Sequence, residues 1–250
     1  MHPPFQRIQF LRQAIDACID LVFPRDCLLT GEPIEPENRF RYLGPRAAKS
    51  IRWIHEPRCL QCGSPLWGCT GNTPTCSHCA ALEPVFEGNR SAVLLNGATR
   101  RLIHQLKYHQ GHYVLQDIRQ IIREAPGYLD DATDHILIPV PLHPRKLRER
   151  GFNQSALIAQ LISGLATGAR TENGLVRRID TESQTRLSRE ARIRNTRHAF
   201  ATAPGFAVDP NASYILVDDV FTTGATLNAC AAALRKAGAR HVSCLTFGHG

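Results

Sequence analysis

The chain has 250 residues, of which 43% are hydrophobic and 21% are charged, and its formal net charge is +8. This composition is typical of a globular protein and excludes a largely disordered or fibrous chain. The length allows one large domain or a domain with a smaller appendage, and the basic excess favours partners that carry phosphate, including nucleic acid.

The first 24 residues carry apolar side chains at helical spacing: Ile8, Leu11, Ile15, Cys18 and Val22. This spacing predicts a short helix that packs one face on the rest of the protein, with a helix lying on a membrane surface as the alternative. Charged residues interrupt the segment, so we predict no signal peptide. The chain contains no uninterrupted apolar run of about 18 residues, so we also predict no membrane span.

Two pairs of cysteines, Cys59 with Cys62 and Cys76 with Cys79, are separated by 13 residues. Two such C-x-x-C turns can present four thiolates to one tetrahedral zinc ion, and a closed four-sulfur shell indicates a structural ion. Unliganded thiols or a redox pair are the alternatives, and Cys69 or His78 could replace a ligand. The chain has nine cysteines, an odd number, and five of them lie between Cys59 and Cys79. This crowding favours a reducing cytoplasm over secretion. Outside the cluster, Cys18, Cys27, Cys230 and Cys244 are interpreted as small buried hydrophobes.

A change of pattern divides the chain near Gly88. Residues 24–90 are rich in Pro, Gly, Asn and Cys and show little periodicity, whereas apolar runs alternate with helical patterns from about residue 91. We therefore predict an N-terminal helix and zinc-knuckle module in residues 1–88 and a second domain in residues 89–250.

The second domain is predicted to be an α/β domain around a parallel sheet, because nearly continuous apolar strands alternate with helices. The predicted strands are "SAVLLN", "HILIPVPL", "GLVRRI", "YILVDDV" and "HVSCLTF", and the predicted helices are "TRRLIHQLKYHQ", "NQSALIAQLISGLA" and "TLNACAAALRKAGA". Asn153 is expected to cap the helix that follows it. The polar, Arg-rich residues 181–200 interrupt this order and indicate a functional loop or a disordered insertion.

The segment "VDDVFTTGAT" places Asp218 and Asp219 at the end of a predicted buried strand, before a loop and a helix that begins near Leu227. Ligands of parallel sheets bind at the carboxyl ends of strands, and a helix N-terminus attracts phosphate. The two carboxylates can accept hydrogen bonds from sugar hydroxyls, so a phosphorylated ribose satisfies both halves of the segment. The alternative is an Asp-rich turn before a Thr-capped helix. Neither a Walker motif nor G-x-G-x-x-G occurs.

This segment resembles the signature with which type I phosphoribosyltransferases bind 5-phosphoribosyl 1-diphosphate (PRPP). The stretches "IPVPLHPRKLRERGFNQSALIA", "LKYH" and "TESQTRLSREARIRN", together with the cysteine pairs, are similar to the ComF/GntX family. The family often has a further cysteine pair early in the chain, whereas here Thr30 stands where the partner of Cys27 would be, so a second zinc site is not predicted.

The resemblance implies a type I phosphoribosyltransferase fold that binds PRPP with Mg²⁺. It implies catalytic roles for Asp218, Asp219 and Arg186, the last on a flexible loop that closes over the substrate. It also implies ligand contacts from a larger set: Asp218, Asp219, Thr222, Thr223, Gly224, Ala225, Thr226, Lys107 and Arg150. Arg150 belongs to a basic run, residues 145–150, expected on the pyrophosphate loop, and Lys107 either reaches phosphate or caps a helix.

Two functions remain open at this point. The first is an enzyme that transfers the phosphoribosyl group to an unknown nucleophile. The second is a single-stranded DNA-binding protein in which the PRPP-type pocket is regulatory, because resemblance to ComF implies a part in DNA uptake and natural transformation alongside the DNA-uptake machinery.

Overall fold

The structure is a computed structural model that describes residues 25–66, 76, 79, 82–108, 111–179 and 199–250. The predicted N-terminal helix, Cys69, His78 and Arg186 with most of the Arg-rich insertion lie outside the described residues. Among the described residues, no helix is both long and apolar enough to cross a membrane.

A five-stranded parallel sheet forms the centre of the described chain, in the order β1-β7-β6-β2-β3. This confirms the predicted α/β class. The strands are β1 (Asn89–Leu94), β2 (Ile136–Pro139), β3 (Arg170–Thr171), β4 (Leu175–Arg177), β5 (Phe200–Thr202), β6 (Ser213–Phe221) and β7 (His241–His249). The helices are α1 (Pro45–Lys49), α2 (Gly97–Tyr108), α3 (Leu115–Glu124), α4 (Pro144–Arg150), α5 (Gln154–Ser163) and α6 (Ala225–Lys236).

Both faces of the sheet are covered, as expected for strands that read as continuous apolar runs. Ile215 and Val217 of β6 pack on one face against α2, α3 and α5, together with apolar residues between 27 and 51. Tyr214 and Leu216 alternate to the other face, which holds α6, β4, β5 and the cysteine cluster. Residues before Gly88 therefore contribute to both cores, and the domain division at residue 88 stays a prediction.

Strand β4 lies outside the main sheet, so its predicted place in the parallel sheet was wrong. It pairs antiparallel with β5, at Leu175↔Thr202 and Arg177↔Phe200. Arg177 and Arg178 make this strand too polar for the middle of a sheet that is covered on both faces. The position beyond β2 is taken by the two-residue strand β3, which the sequence does not predict.

Two further predictions were also wrong: the last residue of strand β6 and the loop expected at residues 145–150. Strand β6 ends at Phe221, one residue beyond the predicted end at Val220, because β7 pairs with it as far as Phe221↔His249. The basic run is not a loop but helix α4, which begins with Pro144 in its first turn and ends at Gly151, whose φ of 83° is left-handed.

Candidate functional site at the carboxyl edge of the sheet

The chain reverses its direction of travel across the sheet between β2 and β6, which are neighbours in the sheet. After β2 the chain passes through α4 and α5 to β3 at one edge, whereas after β6 it passes through α6 to β7 on the opposite side. Such a switch point opens a crevice at the carboxyl ends of the two strands, where ligands of parallel sheets bind. Asp218 and Asp219 lie on β6 near this edge.

Asp219 forms an ion pair with Lys107, with 2.8 Å between Lys107 Nζ and Asp219 Oδ2. The side chain of Asp219 is only 6% exposed and that of Lys107 26%. Lys107 is in the last turn of α2, where a cation is also favoured by the helix dipole. Of the two roles that the sequence left open for Lys107, the structure therefore shows a contact with the acidic pair.

Asp218 accepts hydrogen bonds at Oδ1 from the Ser155 hydroxyl, at 2.8 Å, and from the backbone N–H of Asp219, at 2.9 Å. Burial, and next the negative charge of Asp219, raise the pKa of Asp218 to about 7. The hydrogen bond from Ser155 and the charge of Lys107 act in the opposite direction. Asp218 is therefore an acid that can hold or release a proton near neutral pH.

A small cavity of about 270 Å³ lies beside Lys107. It is lined by Lys107, Tyr108, Lys146, Glu149 and Arg150. Arg150 lies over the ring of Tyr108, with its guanidinium carbon 5.6 Å from the ring centre, and donates a hydrogen bond to Gln154. Burial lowers the pKa of Lys107, but the charge of Asp219, the hydrogen bond to Asp219 and the charge of Asp218 together outweigh burial and leave the pKa above its ordinary value. Lys107 is thus a permanent cation between the acidic pair and this cavity.

The loop after β6 leads directly into α6, which begins at Ala225, two residues earlier than predicted. Thr222 and Thr223 are exposed, and Ala225 and Thr226 are partly buried. The Thr223 hydroxyl accepts a weak hydrogen bond of 3.4 Å from the Ala225 N–H, and Gly224 at the helix start has no capping side chain. The first turn of α6 therefore presents backbone N–H groups of the kind that bind anions.

Gly224 is required by the backbone at this point. Its φ is 72°, and a Cβ added there would stand 2.6 Å from Phe221 Cζ and 2.7 Å from Leu82 Cδ2. A side chain at this position would be strained in conformation and would collide with its neighbours.

The four paired cysteines come together on the same face of the sheet as α6, with all four Sγ atoms within 4.8 Å of one another. The Sγ atoms are 3.9 Å apart for Cys59 and Cys79 and 3.6 Å apart for Cys62 and Cys76. Sulfur atoms bound to one zinc ion at about 2.3 Å lie about 3.8 Å apart in a tetrahedron. The cluster therefore fits a zinc ion with its shell closed.

The predicted site residues thus fall into two groups within the described residues. Asp218, Asp219, Lys107, Arg150 and the Thr222–Thr226 loop meet at one edge of the sheet, and the cysteines form a separate cluster. Sequence reasoning missed Ser155 and Tyr108 as members of the site. The helix-capping Asn153, whose side chain accepts from the Ser155 N–H as predicted, places Ser155 in the first turn of α5, but its contact with Asp218 leaves no sequence signal.

The described residues thus form a parallel α/β fold with an acidic pair near a strand end and a four-cysteine cluster. No model of a known protein family matches the chain. Competence protein F of Haemophilus influenzae is 28% identical over 193 residues, which cover 74% of this chain and 82% of that protein. The DNA utilization protein YhgH of Salmonella typhimurium is 29% identical over 192 residues, covering 74% and 80%. Competence protein ComFC of Bacillus subtilis is 27% identical over 160 residues, covering 64% and 63%. These similarities, at 27–29% identity, support the resemblance to the ComF family that the sequence motifs indicated.

We expect metal analysis to find about one zinc ion per chain, because four converging thiols match its tetrahedral shell. Cys59→Ser should lose the ion, whereas Cys230→Ala, which changes a buried cysteine outside the cluster, should retain it. Hydrogen exchange after chelation should accelerate first in residues 59–66. Pure protein without zinc whose residues 59–66 remain protected would show that the cluster needs no metal.

Replacing Asp218 with Asn should change how stability depends on pH. The raised pKa means that the folded chain keeps a proton that the unfolded chain releases, so the parent loses stability as the pH rises from 3.8 to about 7. The amide of the variant does not titrate but retains an acceptor oxygen. Across that interval the free energy of unfolding of the variant should therefore rise by about 2 kcal/mol relative to that of the parent. The full effect of the shift is larger, but Asp218 is partly exposed, and solvent weakens it.

The measurement is chemical unfolding at a series of pH values, with Asp130→Asn as the control because Asp130 is exposed. A stability difference between Asp218→Asn and the parent that stays constant over the whole interval would mean that Asp218 ionises normally in the folded chain.

Proposed function

We propose that this protein binds PRPP together with Mg²⁺ at the carboxyl edge of the sheet. The observation that carries the proposal is the placement of Asp218 and Asp219, held by Ser155 and Lys107, immediately before a glycine-containing loop that opens the N-terminus of α6. This arrangement places carboxylates that can accept hydrogen bonds from sugar hydroxyls beside an anion site, at a switch point of the sheet.

The two parts of the ligand correspond to two parts of the site. The 5'-phosphate would bind the Thr222–Thr226 loop, where backbone N–H groups and threonine hydroxyls are donors. The ribose hydroxyls would donate to the two carboxylate oxygens for which the described residues show no hydrogen bond, Oδ2 of Asp218 and Oδ1 of Asp219. Lys107 and Arg150, which border the same cavity, would face the diphosphate.

Asp218 and Asp219 offer the carboxylate oxygens that Mg²⁺ prefers, and the ion would reduce the charge that develops on a departing diphosphate. In phosphoribosyl transfer the bond from C1 of the ribose to diphosphate breaks and a bond to the acceptor forms. The protein's own contribution would be to orient the ribose and to hold the diphosphate with Lys107 and Arg150. Arg186 is proposed as a further clamp.

The names of the relatives suggest the process in which the protein acts. They are called competence proteins and DNA utilization proteins, so we propose a role in the uptake or use of DNA. We place this role in the cytoplasm, because no disulfide joins the cysteines within the described residues, which suits a reducing compartment.

Calorimetry with PRPP and Mg²⁺ tests the proposal. The parent should bind, and the double variant Asp218→Asn/Asp219→Asn should bind at least about tenfold more weakly, because two charged acceptors of hydroxyl hydrogen bonds are lost. Asp130→Asn is the matched control and should bind as the parent does. Equal binding by the parent and the double variant, or none by the parent, would contradict the proposal. Release of pyrophosphate in the presence of nucleobases, nucleotides or DNA would then establish transferase activity.

A second function, binding of single-stranded DNA with the PRPP site as a regulator, is favoured by the ring of Tyr108. This ring is 65% exposed and lies against Arg150, beside Lys146, so a base could stack on it while the basic groups contact phosphate. These side chains line one cavity with Lys107, which forms the ion pair with Asp219.

The affinity for a short oligonucleotide should fall as salt rises, and Lys146→Ala should reduce the slope by about one phosphate contact. Tyr108→Ala should weaken binding by about 1–3 kcal/mol through lost stacking, at an unchanged slope. Lys236→Ala, at the far end of α6, is the control. An affinity that does not depend on salt would contradict DNA binding by this surface.

A further inference from the structure

The end of the cysteine cluster is joined to the loop before α6 by a series of contacts. Cys79 accepts a backbone hydrogen bond of 3.2 Å from the N–H of Glu83. Within the next two residues the chain meets α6, where the side chain of Asn228 accepts from the N–H of Val85 at 2.7 Å and donates to the carbonyl of Glu83 at 3.5 Å. One side chain of α6 therefore holds the backbone that leads away from Cys79.

An apolar contact acts on the loop itself. The side chain of Leu82 lies so close to Gly224 that a Cβ there would be 2.7 Å from it, and Phe86 packs edge-on against Phe221 with ring centres 6.4 Å apart. Phe221 and Gly224 stand on either side of Thr222 and Thr223. Both ends of this short loop are thus supported by residues that follow Cys79.

The cluster is also fixed from its other end. The side-chain amide of Asn89 in β1 donates to the carbonyl of Cys62 at 2.8 Å and to the hydroxyl of Ser91 at 3.1 Å. Ser91 in turn shares a hydrogen bond of 2.6 Å with Thr246 of β7. Because Asn89 is only 2% exposed, this anchor is part of the buried sheet, and it holds the Cys62 end of the cluster to β1.

We propose that Cys79 and residues 82–86 form a positioning element for the Thr222–Thr226 loop, so that metal in the four-cysteine cluster increases the affinity of the acidic strand end for its phosphorylated ligand. The regulation rests on the proposed PRPP site. The metal would fix Cys79, the hydrogen bond from Glu83 would link Cys79 to residues 82–86, and their contacts with Asn228 and Gly224 would fix the loop. By linkage, the ligand must raise the affinity of the cluster for metal by the same factor.

Hydrogen exchange tests the structural link without any ligand. The reporter is the N–H of Asn228, which donates to the carbonyl of Gly224 at 2.8 Å in the first turn of α6. Removal of zinc from the parent should speed exchange in a peptide that covers residues 222–232 by roughly tenfold, whereas α3, on the opposite face of the sheet, should not change. Faster exchange confined to residues 59–66 and 82–88 would overturn the proposal.

Variants at Asn228 test the link while the metal stays bound. Asn228→Ala removes both hydrogen bonds to the positioning element and should weaken PRPP binding by roughly fivefold, with zinc content unchanged. Asn228→Asp keeps the acceptor for the Val85 N–H and should recover most of the affinity. Asn211→Ala makes the same change in an exposed turn at the opposite end of β6 and should have no effect.

The outcomes separate this inference from the proposed function. If the parent binds PRPP and Asn228→Ala binds it equally well, with unchanged exchange in residues 222–232, the positioning role is wrong and the PRPP site stands. If the parent does not bind PRPP, the proposed function fails, and the exchange measurements still decide whether the cluster controls the loop.

Discussion

The ion pair between Lys107 and Asp219 is the interaction on which the carboxyl edge of the sheet depends. Asp218 and Asp219 are adjacent on the central strand, and a buried carboxylate is costly unless a cation or hydrogen-bond donors compensate it. Lys107 compensates Asp219 from the end of α2, and Ser155 compensates Asp218 from the start of α5. The two acids therefore contact two helices, and Lys107 is the cation that the described residues place in an ion pair with them. An edge of this kind is suited to a ligand that brings hydroxyl donors and a divalent cation.

The cysteine cluster packs against the α/β core. Three of its thiols are buried in the same apolar face as α6, and Leu82, three residues after Cys79, lies against Gly224 in the loop that follows β6. Removal of one cysteine would therefore disturb the loop as well as the metal site. Under the proposed positioning role, a structural ion with no position open to substrate would therefore act on the loop through the packing of the fold.

Much of the fold could be predicted from the sequence, because long apolar runs and amphipathic helices are local signals. The acidic pair, the loop and the cysteine spacing are also local, and the sequence indicated each of them. It could not indicate the contact between Lys107 and Asp219 or that between Leu82 and Gly224, since both join residues more than 100 positions apart. The last residue of β6, Phe221, was missed for the same reason: its place in the strand is set by pairing with His249 of β7.

The measurement that tests the central claim most directly is a crystal structure of the protein grown with PRPP and Mg²⁺. The account predicts the sugar at the carboxyl edge, with its hydroxyls against Asp218 and Asp219 and its 5'-phosphate at the first turn of α6. A ligand bound elsewhere, with the Thr222–Thr226 loop turned away from any phosphate, would contradict the account.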